Sequence, residues 1–454
     1  MKNSRKIAPL TTLLLVGALS LSACAPGSSK ADGQETTEIT APITVEEVAE
    51  LGDVTLKVWA DAGEEATLTA LVPKYQELYP NVTVDITYKG WDDLMGTVVN
   101  AMASDSPPDV TNGNQGKAIM GTMVAGNMIR PLDDFISVYG VDEGVPATGF
   151  DSYTWNDEGT KWGDGKIVGV GGATQPLGLF YSVEKLEELG IDAPKSISEL
   201  EDALKTAKDG GEVPIQLGNS DQYPLGSHVL GILIDMYASP EEVNDWLAGE
   251  SGTTFDTPGI HSAIETLKTW GDAGYFAEGY DGKSLDDAVA AFGEGEGVFF
   301  LGGSFNGSKL ATYNPDGFGF TLLQNSEGTY TTTGTLGTPW HISSKTKVEP
   351  AAIAFLGMLL SKDFAQTYAD NTRLPIADLS GVTPTGTMHE AQLNAAQEFF
   401  ANGNFVGYLD WATPTMQATL GAGAQEILAD RITVDEFIER VQSDWELAQE
   451  GASE

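Results

Sequence analysis

Cysteine is almost absent: the 454 residues hold one, Cys24. A disulfide framework within the chain is therefore excluded. Histidine is scarce, with four residues, so a His/Cys metal site has little to draw on. Basic residues are few. The chain has 24 Lys and Arg against 66 Asp and Glu, for a formal net charge of −42. Nucleic acid requires clustered Lys and Arg on its phosphates and is excluded as a partner. A highly anionic ligand is disfavoured on the same ground. Beyond the N-terminus no stretch reaches 18 unbroken apolar residues; the best, Ala351–Leu360, has ten and reads as a buried helix. What is present suits a folded protein. Hydrophobic content is 41% and aromatic content 9%, which a disordered acidic chain lacks. The length fits two to three domain-sized cores, and 53 glycines supply turns.

The N-terminus sets the expected compartment. Lys2, Arg5 and Lys6 precede a mostly apolar run from Ile7 to Leu21, too short for a comfortable membrane span. Leu21-Ser22-Ala23-Cys24 follows and resembles a bacterial lipobox, with Cys24 the lipidated residue after cleavage. The expectation is a signal peptide over 1–23, then lipidated Cys24 and a flexible tether over 24–51. The chain would then be anchored by lipid to the outer face of the cell membrane without spanning it. Ala25–Pro42 is rich in Ser, Thr, Gly and acidic residues, and Ile43–Leu51 has the pattern of a short helix.

The body alternates strand and helix. Val54, Leu56 and Val58 alternate with polar residues, predicting a strand over 54–59 and a turn over 60–63. Leu68, Leu71, Val72, Tyr75 and Leu78 recur at helical spacing until Pro80. Val82, Val84, Ile86 and Tyr88 predict a second strand; Trp91-Asp92-Asp93 opens a helix to about Ala103, and Pro108-Asp109-Val110 leads into a third strand. This order implies a parallel sheet with helices on both faces. Asp164-Gly165 between Thr160–Trp162 and Lys166–Val168 predicts a hairpin. Ser196 with Glu199, and Thr433 with Glu436, predict capping boxes.

Open α/β sheets bind ligands beyond the carboxyl ends of their strands. The loops so placed carry Trp59, Asp61 and Glu64, then Trp91, then Asn112, Asn114 and Gln115. Carboxylates and amides bond sugar hydroxyls, while aromatic faces stack on the C–H side of a sugar ring.

The fragments Leu56-Lys57-Val58-Trp59, Pro108-Asp109-Val110, Ile129–Asp134, Asp164-Gly165-Lys166, Phe180–Lys185, Gly302–Phe305, Leu359–Asp363 and Ile427–Glu436 occur in an order that carries a family likeness. Behind a lipobox, the chain resembles family 1 of the extracellular solute-binding proteins of ABC importers, the group containing maltose-binding protein. The resemblance covers nearly all of residues 52–450. It implies an α/β, two-lobed type II periplasmic-binding-protein fold, each lobe a mainly parallel sheet flanked by helices. It places the N-terminal lobe at 52–172 plus 338–372 and the C-terminal lobe at 173–333 plus 375–454. The hinge crossings are expected near 172–176, 333–337 and 371–375. It also implies a carbohydrate, an oligosaccharide on the count of aromatics, held in the interlobe cleft by hinge closure and delivered to membrane permease subunits. The protein is expected to be a monomer, with no cofactor and no enzymatic activity.

Carried over residue by residue, the ligand-contacting set is Asp61, Glu64, Trp91, Asn112, Asn114, Gln115, Gln175, Asp221, Tyr223, Phe305, Trp340, Asp410 and Trp411. Phe305 stands where relatives usually have Trp, which weakens stacking there. Trp155 and Trp162 are expected to pack the hairpin, and Trp246, Trp270 and Trp445 to pack helices. A non-sugar solute such as a polyamine is the alternative; it would need several carboxylates converging beside aromatics. Enzyme motifs fail: Gly302–Asn306 breaks G-x-S-x-G at its last position, Thr174 stands where a dinucleotide fingerprint needs its third Gly, and no histidine forms H-E-x-x-H. A glycosidase needs two positioned carboxylates, which an acidic sequence alone does not identify.

Overall fold

The computed structural model describes residues 38–143, 145, 147–376 and 379–452. The expected signal peptide, the lipobox and Cys24 lie outside them. Among the described residues no helix is long and apolar enough to cross a membrane.

The chain enters through α1 (Val45–Ala49), β1 (Val54–Asp61), α2 (Glu65–Leu78), β2 (Val82–Lys89), α3 (Trp91–Ala103) and β3 (Val110–Asn112). The period-two pattern buries Leu56, Val58 and Ala60 of β1. The helical spacing buries Leu68, Leu71 and Tyr75 of α2, although Leu78 is exposed. Where a turn is expected over 60–63, the strand continues to Asp61 and a 3-10 turn, Ala62–Glu64, follows. The reason is local: the Asp61 carboxylate accepts the Gly63 N–H at 2.8 Å and tightens the backbone only after the strand ends.

The later strands are β4 (Thr154–Trp155), β5 (Lys166–Ile167), β6 (Ala173–Thr174), β7 (Leu177–Ser182), β8 (Ile215–Gln216), β9 (Phe299–Gly303), β10 (Phe318–Thr321), β11 (Tyr330–Thr333), β12 (Trp340–Ile342), β13 (Leu374–Pro375) and β14 (Gly403–Val406). Two four-stranded sheets result, ordered β12-β3-β1-β2 and β10-β7-β9-β8. In the first, β1 pairs in parallel with β2 and β3, and β12 is antiparallel to β3. In the second, β7 is antiparallel to both β9 and β10, and only β8–β9 is parallel. Three strands of each sheet thus share a direction, and the strand leaving the crossing region opposes them. In the first sheet that strand sits at the edge. In the second it sits inside, so most pairings there are antiparallel where mainly parallel ones are expected.

The three expected crossings lie side by side. β6 pairs antiparallel with β13. Gln175 N–H donates to the Thr335 carbonyl at 3.1 Å, and Thr174 Oγ1 donates to the same oxygen at 2.9 Å. Gly337 has φ +110°, and a Cβ there would sit 2.1 Å from the Ala173 carbonyl oxygen. Gly337→Ala combines this clash with a left-handed strain and is expected to cost more than about 2 kcal/mol, read by urea unfolding. An unchanged midpoint would contradict this packing of the crossings.

Three local readings are corrected. Lys166–Ile167 pairs with Thr154–Trp155, not with 160–162; Trp162 makes only an isolated bridge to Trp155. Gly165, at φ +113°, lies against the Trp155 carbonyl and fixes that register. Second, Ser196 caps its helix, but Glu199 accepts from the N–H of Lys195 rather than of Ser196, so the box is not closed. The Thr433/Glu436 box is complete. Third, the stretch 39–51 is docked on the first lobe. Ile39 N–H donates to Asp134 at 2.9 Å, Ile43 N–H donates to Tyr139 Oη at 3.0 Å, and Val48 is fully buried. Asp134 is itself clasped by both terminal nitrogens of buried Arg130, so the anchor point is rigid.

Candidate functional site

A cavity of about 290 Å³ opens where loops of both sheets meet the crossings. From the first lobe come Asp61 and Glu64 after β1, Trp91 at the start of α3, and Asn114 and Gln115 after β3. From the second come Tyr223, Ser227 and His228 around a π-helical turn (Pro224–Val229), Phe305 after β9, and Tyr408, Asp410 and Trp411 after β14. The crossings add Gln175, Thr335 and Arg373. At 290 Å³ the space is at the lower end of ligand pockets.

The rings form a connected wall. His228 lies 5.3 Å from Tyr223 and 6.0 Å from both Phe305 and Tyr408, centroid to centroid. Tyr408 and Trp411 are 5.1 Å apart, and Trp411 rests edge-on against buried Trp162 at 5.8 Å. Gly116, at φ +65°, leaves room for Trp411: a Cβ there would meet it at 3.0 Å.

Electrostatics divide the charged groups. Arg373 donates to Glu64 Oε1 at 2.8 Å and to the Gly63 carbonyl at 3.0 Å, so this buried pair braces the third crossing against the loop after β1. Among the described residues Asp61 makes no such ion-pair contact, although Arg373 acts on it through space. Burial raises its carboxyl pKa, against which the Gly63 N–H works. Burial likewise raises Asp410. It pushes the His228 imidazole down to about 4, so that ring is neutral near pH 7. The His228 Nδ1 and Glu64 Oε2 atoms are buried without a partner. Gln115 spends its amide on Thr335 Oγ1 and the Gly337 carbonyl, bracing the second crossing.

Ten of the thirteen residues expected in the site line this cavity: Asp61, Glu64, Trp91, Asn114, Gln115, Gln175, Tyr223, Phe305, Asp410 and Trp411. Three do not. Asn112 is fully buried, and its side chain joins the Asp61 N–H to the Pro339 carbonyl. Trp340 lies in β12 and is 1% exposed, a core residue. Asp221 accepts the Leu285 N–H at 2.8 Å and holds the start of the helix Leu285–Gly293. Sequence reasoning missed His228, Tyr408 and Arg373. Tyr408 stands three residues before Trp411, and Arg373 lies in the third expected crossing, so both had a positional signal. His228 had none. Among the described residues no group of three His, Cys, Asp or Glu side chains could hold a metal ion.

A family model for bacterial extracellular solute-binding proteins matches residues 70–391. An uncharacterized ABC transporter extracellular-binding protein of Pyrococcus horikoshii is 24% identical over 65% of this chain and 64% of its own length. The multiple sugar-binding protein of Streptococcus mutans is 23% identical over 47% of this chain and 51% of its own. The chain thus spans less than two thirds of either relative. A chitin oligosaccharide binding protein of known structure superposes with a TM-score of 0.71 at 20% identity, over 86% of this chain and 96% of that one. At that identity the likeness concerns the fold.

Proposed function

The chain belongs to the bacterial extracellular solute-binding proteins, and from that premise we propose that it is the carbohydrate-capturing subunit of an ABC importer. The supporting observation is a cavity lined from both lobes by aromatic rings and by amide side chains. The side chains of Asn114, Gln175 and Gln417 line it and make no hydrogen bond among the described residues, which leaves them for hydroxyls. Tyr408, Trp411 and Phe305 supply apolar faces for ring C–H groups. A sugar touching both lobes binds only when they are together, so its binding energy favours closure about the three crossings. The closed form is what a membrane permease would select. In this reading Cys24 carries the lipid anchor, the protein acts as a monomer outside the cytoplasm, and the ligand is a short oligosaccharide that leaves unchanged.

Thermal-shift measurements with neutral mono- and oligosaccharides, amino acids and polyamines test this. A sugar at 100 times its dissociation constant should stabilise the protein by about 2.7 kcal/mol and be recovered intact by chromatography. No shift with any saccharide, or a cleaved product, would overturn the proposal.

A further inference from the structure

We propose that the preferred ligand is a saccharide carrying a protonated amine, held between Asp61 of one lobe and Asp410 of the other. This rests on the carbohydrate reading and narrows it. The charged side chains lining the cavity are Asp61, Glu64, Asp410 and Arg373. Arg373 is the cation among them, and it is spent on Glu64 and on the Gly63 carbonyl. His228 is neutral and adds no positive charge. Arg373 also acts on Asp61 through space, so three carboxylates share one cation, which is hydrogen-bonded to Glu64 and the Gly63 carbonyl.

The surroundings deepen the imbalance. The carboxylates of Asp221, Asp92 and Asp286, with Asp61, all act electrostatically on Tyr223 at the cavity wall. Asp286 is paired with Lys309 at 2.8 Å, but that lysine does not line the cavity. A neutral sugar entering here strips water from Asp61 and Asp410 and returns only hydroxyl hydrogen bonds. An anionic sugar adds repulsion. An ammonium group places one positive charge between the two carboxylates and offers N–H donors to both, and the faces of Tyr408 and Trp411 favour a cation as well. The free amides still require hydroxyls, and the rings still require a sugar's C–H surface. A simple polyamine satisfies the carboxylates and leaves the amides unused. The buried, unpartnered Glu64 Oε2 accepts a further N–H or O–H group of such a ligand, and His228 Nδ1 donates or accepts according to the tautomer of the neutral ring.

Calorimetry at pH 6.5 with matched pairs tests this: glucosamine against glucose, galactosamine against galactose, and the β1,4-linked glucosamine disaccharide against cellobiose. At least one amine should bind tenfold or more tightly than its hydroxyl partner. Asp410→Asn and Asp61→Asn, on opposite lobes, should each cut that ratio at least fivefold, each variant's folding being checked by its unliganded melting curve. If in every pair the hydroxyl sugar binds as well or better, the amine proposal fails and the carbohydrate reading stands. If spermidine binds and no saccharide does, both fail.

Discussion

Arg373→Met is expected to destabilise the protein by about 3–5 kcal/mol, because it leaves the buried Glu64 carboxylate without its partner. Glu64 and Arg373 are 4% and 9% exposed, and the ion pair is 2.8 Å long. The same guanidinium holds the Gly63 carbonyl, so the substitution also frees the loop that carries Asp61. Adding Glu64→Gln in the Arg373→Met background should recover part of the loss, since a neutral amide is cheaper to bury than a lone charge. Urea unfolding of the two single variants and the double variant forms the cycle. Additive losses would show that the two side chains do not act as a pair.

The second large effect is on pH dependence. Burial pushes His228 and His341 down to about 4, below the ordinary 6.5. The native state holds both rings neutral, while the unfolded chain takes up protons from pH 6.5 downward. Their contribution is therefore complete above pH 6.5 and is lost as pH falls toward 4, about 3 kcal/mol for each ring. Asp235 works in the opposite sense. Burial pushes its carboxyl up to about 7, with only the N–H and hydroxyl of Thr333 as partners, at 2.5 and 3.1 Å. Its penalty is absent below pH 3.8 and grows to about 4 kcal/mol by pH 7. Asp235→Asn removes the penalty and keeps an acceptor for Thr333. It should be more stable than the parent at pH 8 and should lose stability more steeply on acidification, because the two histidines then act unopposed. Parallel stability curves for parent and variant between pH 4 and 8 would refute the assignment.

Much of the fold was legible because the first lobe follows simple periodicities. β1, α2, β2, α3 and β3 are each the product of one pattern and one terminator. The inverted strands β7 and β12 were not legible, because their direction is set by the crossings and not by their own residues. The site was legible where a loop follows a strand directly, as with Asp61, Glu64 and Asn114. It failed where a polar side chain serves the backbone. Asn112 and Asp221 sit beside the site in sequence but spend their oxygens on N–H groups. Trp340 failed because strand β12 turns its ring into the core. His228 was illegible because a π-helical turn points it into the wall of rings.

The most direct test of the central claim is a crystal structure with the sugar that raises the melting temperature most. That sugar is expected between the lobes, its ring against Tyr408 or Trp411, its polar groups on Asp61 and Asp410, and Asn112, Trp340 and Asp221 out of contact. A sugar bound elsewhere, or touching only one lobe, would contradict it.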